Sequence, residues 1–212
     1  MSLKLLLKKF TLLLTGFIGP SFLLVTGTTI AAQQEPDPHA HHRHMMEQSG
    51  YKSSVHSYAI PELVLIDMDN NKVSLHDALG DEGPVILNFI FTTCTTICPV
   101  LSATFSQVQR ELGSKTKNVR MISITIDPEQ DTPERLKEYA SRFKAGADWQ
   151  FLTGSIENII TTQKAFDAYR GDKMNHIPLT FLRSTPDGPW VRLEGFTSAT
   201  EVVAEYRQHL SQ

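Results

Sequence analysis

The sequence predicts an α/β fold built around a central sheet, and three observations support this prediction. Residues 85–91 form a nearly continuous apolar run, which is typical of a strand buried on both faces. Strand and helix patterns then alternate along most of the remaining chain. Both cysteines of the chain, Cys94 and Cys98, directly follow the apolar run. In sheets of this class, reactive loops lie at the carboxyl ends of central strands.

The first half of the domain reads as a hairpin, a strand and a helix. Residues 59–67 and 72–75 flank the turn sequence Asp69-Asn70-Asn71, which predicts a hairpin at the edge of the sheet. The strand over residues 85–91 follows. Apolar positions over residues 99–112 then recur at helical spacing, so this segment is predicted to be a helix.

The second half repeats this alternation. A strand over residues 119–126 ends at Asp127-Pro128. Thr132 or Asp131 is expected to cap the next helix, with Pro133 at its first position. The remaining predicted elements are a strand at 149–152, a helix at 156–169, strands at 179–182 and 190–193, and a helix at 199–210.

Targeting signals divide the chain into an N-terminal segment over residues 1–32, a linker over 33–54 and a domain over 55–212. Three lysines precede an uncharged run over residues 10–32, which is typical of an exported protein. The segment is interpreted as either a cleaved signal peptide or a retained anchor in the inner membrane. The domain is therefore expected in the periplasm or on the extracytoplasmic face of that membrane.

The predicted linker is polar and contains a cluster of imidazoles and thioethers. This soft-to-borderline ligand set suits copper in either oxidation state. A solvated tail with no metal role explains the same composition, so auxiliary copper capture is one of two interpretations. The residues concerned are His39, His41, His42, His44, Met45 and Met46.

The net charge argues against one class of partner, and the expected compartment limits the state of the two cysteines. The chain carries 20 basic and 23 acidic side chains, for a net charge of −3, and no basic stripe interleaved with aromatic residues follows the N-terminus. Nucleic acid is therefore not an expected partner. Outside the cytosol an unprotected cysteine pair oxidises unless a reductase or a metal intervenes, so this pair must be maintained by one of them.

The spacing of Cys94 and Cys98 favours a shared partner. If both lay on one helix, their sulfurs would share a face with Cβ atoms ~5–6 Å apart. A disulfide requires ~3.8 Å and hence a distorted first turn, whereas a bridging metal does not. A helix N-terminus also stabilises a thiolate, so a lowered cysteine pKa is expected. The threonine-rich loop argues against two inert buried thiols.

His176 is the second candidate ligand, in a loop before the strand at 179–182. The approach to that strand can neighbour the loop that carries the cysteines. A single histidine is more often an ordinary surface residue. Two thiolates and one imidazole nevertheless form a ligand set suited to Cu(I) and able to hold Cu(II).

Three motifs together resemble the Sco/SenC family of copper proteins. They are the cysteine motif over residues 91–99, the acidic motif over residues 126–133 and His176. The resemblance covers the chain from about Tyr58 onwards. It implies a thioredoxin-like fold, with a central mixed sheet flanked by helices and the hairpin as an N-terminal extension. It also implies that Cys94, Cys98 and His176 bind copper.

The resemblance extends to neighbouring residues. Asp127 matches the acidic residue of the Asp-Pro motif. It either supports a metal ligand or a partner, or it only forms the turn before the proline of that motif, and both interpretations stay open. Pro178 resembles the proline that is cis in thiol redox members of the thioredoxin superfamily and faces the reactive cysteines there, so both a cis and a trans bond are considered at this position. Asn175 replaces an aspartate common in the family. Asp131 is interpreted as a helix cap, and Met174 as a packing residue.

The resulting functional hypothesis is a copper metallochaperone that assembles a respiratory cytochrome c oxidase rather than a turnover enzyme. The expected partner is the copper-accepting oxidase subunit, together with another copper chaperone or a thiol reductase. The alternative is a thiol:disulfide oxidoreductase in which Cys94 attacks and Cys98 resolves. A peroxidase is disfavoured because no supporting motif is present, and copper storage through the linker is compatible with the first hypothesis.

Overall fold

One eight-stranded sheet organises residues 50–80, 83–113 and 119–210, the parts of the chain that the computed structural model describes. The strand order is β1-β8-β7-β4-β5-β6-β2-β3. Neighbours β4, β5 and β6 are parallel, and the other pairs are antiparallel. The strands are β1 (Lys52–His56), β2 (Val64–Asp67), β3 (Lys72–Ser74), β4 (Val85–Ile90), β5 (Arg120–Thr125), β6 (Trp149–Thr153), β7 (Leu179–Arg183) and β8 (Trp190–Glu194).

Helices cover both faces of this sheet. Within the described ranges they are α1 (Leu75–Leu79), α2 (Ile97–Leu112), α3 (Pro133–Arg142), α4 (Ile156–Ala165) and α5 (Ala199–Leu210). Buried side chains of α2, α3 and α5 pack in one core cluster, and those of α1 and α4 pack in a second. The mixed sheet between two helical layers, with the β2–β3 hairpin at one edge, confirms the predicted thioredoxin-like α/β fold.

The central strand β4 contributes to both clusters because successive side chains point to opposite faces. Ile86 and Ile90 lie in one cluster, whereas Val85, Leu87 and Phe89 lie in the other. All six residues of β4 are buried. The apolar run therefore becomes a strand buried on both faces, as predicted.

Several boundaries differ from the sequence prediction, and three of these differences have a clear structural reason. Strand β1 starts at Lys52, inside the segment predicted as linker, and its mostly exposed residues offer no apolar alternation to reveal it. Leu75 begins α1 instead of ending a strand, because Ser74 Oγ accepts a hydrogen bond from the Asp77 amide and caps a helix there. Helix α4 ends early, at Ala165, and Asp167 follows with a left-handed φ of 49°.

Helix α3 resolves the question of its cap. Thr132 Oγ1 accepts a hydrogen bond from the Arg135 amide at 3.4 Å, and Pro133 occupies the first helical position. Thr132 is thus the N-cap, and the interpretation of Asp131 as the cap is wrong. The Asp131 side chain instead points towards the cysteine loop.

The N-terminal predictions fall outside the described residues. These are the signal peptide or anchor over residues 1–32 and the His/Met cluster of the linker. In the ranges that are described, no helix combines the length and the apolar character needed to cross a bilayer.

The register of the central strands determines where the candidate residues meet. Strand β4 runs parallel to β5, so the loops after both strands emerge at one edge of the sheet. Strand β7 is antiparallel to β4, with Asn88 opposite Thr180, so its first residues lie at that same edge. The cysteine loop, the acidic motif and the His176 loop therefore converge.

A buried polar cluster inside the sheet offers a test of the packing. Ser123 Oγ donates to Asn88 Oδ1 at 2.7 Å and accepts from Trp149 Nε1 at 3.0 Å, and all three residues are 0% exposed. Ser123→Ala leaves the indole N–H and the amide oxygen unpaired, so we expect the free energy of unfolding to fall by about 2 kcal/mol.

Urea denaturation measures this loss. The control is Ser141→Ala, because Ser141 is exposed on α3 and donates only to the Lys137 carbonyl. The control should leave stability within about 0.5 kcal/mol of the parent. Equal stability of the two variants would contradict the role assigned to Ser123.

Candidate functional site

The two cysteines lie on either side of a helix start. Cys94 is in the turn after β4, whereas Cys98 is the second residue of α2, which begins at Ile97. The helix predicted over residues 99–112 starts two residues earlier, at Ile97, and the condition that both cysteines share one helix is not met, because Cys94 lies three residues before its start. Both thiols are free, with Cys94 partly exposed and Cys98 buried.

The backbone around Phe91 holds both cysteines. The Phe91 amide donates to Cys98 Sγ at 3.4 Å, and the Phe91 carbonyl accepts from the Cys94 amide at 3.2 Å. The Cys98 amide in turn donates to Cys94 Sγ at 3.3 Å. Both sulfurs thus accept backbone hydrogen bonds at the mouth of the helix.

These contacts give the two thiols opposite acidities. Burial raises the pKa of Cys94, but hydrogen bonds from the backbone of Cys98 and Thr96 outweigh it and bring that pKa below its usual value. Burial raises the pKa of Cys98 far above its usual value, and the neighbouring Cys94 raises it further. Cys94 is therefore the more readily formed thiolate, which agrees with the lowered pKa expected at a helix N-terminus.

His176 contacts the inner thiol. Its Nδ1 atom lies 3.8 Å from Cys98 Sγ, and its ring meets the Phe91 ring edge to face at 6.2 Å between centroids. The side chain is 7% exposed, and burial lowers its pKa to about 4, although the Phe89 backbone opposes this effect. The imidazole is consequently neutral at pH 7 and has a nitrogen lone pair to offer.

The three predicted ligands approach one another in pairs. Cys94 contacts Cys98, and Cys98 contacts His176. Among the described residues, no three Cys, His, Asp or Glu side chains are already close enough together to form a metal site. Binding one ion with all three groups requires the sulfurs and the imidazole to close around it. The His and Met residues predicted for auxiliary capture lie outside the described ranges.

Asp127 contacts the histidine loop rather than the cysteines. Its buried carboxylate forms a 2.6 Å ion pair with Lys173 Nζ. Lys173 begins the 3-10 helix Lys173–Asn175, which ends immediately before His176, and its Nζ also lies 5.7 Å from the centre of the Phe91 ring. The ion pair therefore ties the acidic motif to the loop that positions the imidazole.

The structure answers the open question about Pro178 and contradicts the prediction for Met174. Every peptide bond between described residues is trans, so the bond before Pro178 is trans. The Pro178 carbonyl accepts the Gly195 amide at 3.0 Å, and the chain continues directly into β7. Met174 is 75% exposed and so is not a packing residue.

Two residues that contact this site were not identified from the sequence. Phe91 is part of the apolar run and the first residue of the cysteine motif, and no role of its own was inferred from the sequence, although its backbone contacts both cysteines. Asp131 was interpreted as a cap, although its carboxylate is 0% exposed and accepts hydrogen bonds from Thr92. The available signals were the position of Phe91 at the strand end and the presence of Thr132 as a sufficient cap.

Comparison with known proteins gives a consistent picture. The family model described as SCO1/SenC matches residues 52–211. The SCO1 protein homologue of Bacillus subtilis is 36% identical over 105 residues, covering 49% of this chain and 53% of that protein. The chain spans about half the length of the curated relatives that it matches most strongly.

Solved structures show the same similarity. BsSco, described as a member of the Sco family of cytochrome c oxidase assembly proteins with a disulfide switch, is 28% identical, with a TM-score of 0.62 over 74% of this chain and 96% of that one. Yeast Sco1, crystallised with copper bound, is 26% identical, with a TM-score of 0.61 over 74% of this chain and 94% of that one.

The burial of His176 predicts that the stability of the metal-free protein depends on pH. The histidine pKa is 6.5 when unperturbed and about 4 in the folded state, so between these values the unfolded chain binds the additional proton. The free energy of unfolding must therefore fall as pH is lowered through this window. We expect His176 to account for a loss of about 2 kcal/mol between pH 7 and about pH 4.5.

Urea unfolding at both pH values, with a chelator present, measures this effect. His176→Gln should lose stability less steeply with falling pH than the parent. His56→Gln, at an exposed position in β1, should retain the parental slope. Equal slopes for the parent and His176→Gln would contradict a buried neutral imidazole.

Proposed function

Because this chain belongs to the SCO1/SenC family, we propose that it is a copper-binding assembly factor for a respiratory cytochrome c oxidase. In this proposal it delivers copper to the binuclear copper site of the oxidase or prepares that site for metal. Copper is the cargo. Copper in crystalline yeast Sco1 and the assembly role given for the family of BsSco support the assignment.

One observation carries the proposal: two thiols from the segment that joins β4 to α2 and a neutral imidazole from the loop before β7 meet at one edge of the sheet. Thiolate and imidazole form a soft-to-borderline ligand set suited to copper. The low pKa of His176 keeps its lone pair free of a proton. The donors present therefore fit the ion.

Binding exchanges protons for metal. Cys94 is partly exposed and the more acidic thiol, so it offers the first sulfur. Cys98 keeps its proton because it is buried, and Cu(I) must displace that proton when both sulfurs become ligands. Two thiol protons leave as one cation binds, and His176 supplies a third, uncharged donor. Transfer to an acceptor subunit starts at Cys94, the sulfur that solvent reaches.

A second function is favoured by the difference between the thiols. An exposed cysteine of lowered pKa beside a buried one is the arrangement of an attacking and a resolving thiol. The Cys94 thiolate attacks a target disulfide, one target sulfur leaves, and Cys98 then displaces the other. The target gains two electrons and two protons as Cys94 and Cys98 form a disulfide. This activity would prepare reduced cysteines for copper.

The remaining assignments follow from the same hypothesis. Asp127 is proposed to support His176 through Lys173, because their ion pair holds the loop that carries the imidazole. Pro178 is proposed to fix the entry of that loop into β7. The cluster of four histidines and two methionines in the linker would capture copper for the domain. Residues 1–32 would export the chain to the periplasm, as a signal or an anchor.

The copper proposal predicts one tightly bound Cu(I) per protein. Cys94→Ala, Cys98→Ala and His176→Ala each remove one donor, so each should weaken affinity by more than the 10–100-fold typical of losing a supporting partner. Anaerobic titration against a chromophoric Cu(I) chelator gives the affinity. His56→Ala, which removes an exposed histidine, is the control, and an unchanged affinity for His176→Ala would contradict the three-donor site.

The dithiol proposal is tested without metal. Cys94 should react with iodoacetamide faster than Cys98, because only Cys94 combines exposure with a lowered pKa. Cys98→Ser should accumulate a mixed disulfide with a disulfide-containing target peptide, because Cys94 attacks one sulfur and the other leaves, whereas Cys94→Ser should form none. Mass spectrometry detects both species. A parent protein that leaves the oxidised peptide unchanged would remove this function and leave the copper proposal standing.

A further inference from the structure

The carboxylate of Asp131 is buried directly behind the cysteine loop. Its side chain is 0% exposed and accepts hydrogen bonds from three donors. The Thr92 amide donates to Oδ2 at 3.0 Å, and the Thr92 and Thr125 hydroxyls donate to Oδ1 and Oδ2 at 2.5 Å. A carboxylate suits this position because all three of these partners donate to it.

The bond to Thr92 fixes the segment that carries both cysteine contacts. Thr92 follows Phe91 in the chain, and Phe91 donates its amide to Cys98 Sγ and accepts the Cys94 amide. Anchoring Thr92 therefore fixes the peptide units that touch both cysteines. Asp131 forms no hydrogen bond with either sulfur, so its positional effect passes through this segment, while its negative charge separately adds to the effect of burial in raising the pKa of the Cys98 thiol.

The same carboxylate is linked to the histidine loop. The Thr125 hydroxyl donates to the Asp131 carboxylate, and Thr125 Oγ1 also accepts a hydrogen bond from the Asp127 amide at 2.9 Å. Asp127 then pairs with Lys173, three residues before His176. A continuous series of polar contacts thus joins the cysteine loop to the histidine loop, with Asp131 at its centre.

We propose that Asp131 is a positioning residue that holds the cysteine loop, and through Thr125 the acidic motif, in the geometry in which both thiols and His176 meet. The expected effect of Asp131 on copper affinity rests on the function proposed above. The expected effect on disulfide formation between Cys94 and Cys98 does not, because it depends only on the position of the two sulfurs. Such supporting partners typically change metal affinity 10–100-fold.

The neighbouring Thr132 provides a matched control. Thr132 caps α3 and is exposed, so Thr132→Ala weakens the same turn without touching the cysteine loop. Asp131→Asn keeps the side-chain shape but turns an N–H₂ group towards donors. Thr92→Val removes one hydroxyl donor and retains the backbone bond to Asp131, so it keeps the inference testable if Asp131→Asn does not fold.

The experiment has two readouts on the full chain, each beside a thermal unfolding scan. The first is the equilibrium with glutathione, in which two protein thiols give two electrons and two protons to one glutathione disulfide. The second is Cu(I) affinity against a chromophoric chelator. We expect Asp131→Asn to change the glutathione equilibrium constant at least fivefold and weaken Cu(I) binding at least tenfold. Thr92→Val should change both in the same direction by less.

Thr132→Ala should lower the unfolding temperature and leave both equilibria at parental values. If Asp131→Asn and Thr92→Val likewise lower the unfolding temperature but leave both equilibria at parental values, Asp131 is merely structural and the inference is overturned. If the parent binds no Cu(I), the proposed function fails, whereas the glutathione equilibrium still decides the role of Asp131.

Discussion

The pairing of β4 with β5 on one side and β7 on the other is the constraint on which the site depends. Parallel pairing brings the loops after β4 and β5 to one edge, and antiparallel pairing brings the start of β7 there as well. Because the side-chain period of a strand is two, a one-residue slip of β4 would exchange its two core faces. The alternating clusters on β4 therefore set the register that places Cys98 beside His176.

Burial then determines the chemistry of each group. The same apolar environment that keeps the His176 ring neutral also keeps the Cys98 thiol protonated, because both effects disfavour charge. Cys94 escapes this effect through backbone hydrogen bonds at the helix mouth. The site consequently holds one accessible sulfur of thiolate character and two neutral donors behind it. A soft cation such as Cu(I) can accept all three donors, and its positive charge offsets the negative charge of one of the two thiolates, while the imidazole adds none.

The sequence predicted most of the fold because its strong signals were local. The apolar run became β4, and the proline after a capping threonine became the start of α3. Exposed β1 was missed because pairing with β8, rather than its own pattern, makes it a strand. The cysteines were singled out by their chemistry, and His176 chiefly by the resemblance to a known family. The role of Asp131 was not predicted, because an aspartate that caps a helix and one that accepts buried hydrogen bonds look identical in sequence. Only the fold shows that Thr92 lies beside Asp131.

Copper delivery and dithiol exchange compete for the same two sulfurs, and this links the two proposed functions. A disulfide consumes both thiols, so the oxidised protein has only an imidazole left to offer the metal. Copper in turn holds the sulfurs and protects them from oxidation. The oxidation state of the cysteines thus decides which chemistry is available. A geometry that favoured disulfide formation strongly would therefore abolish metal binding.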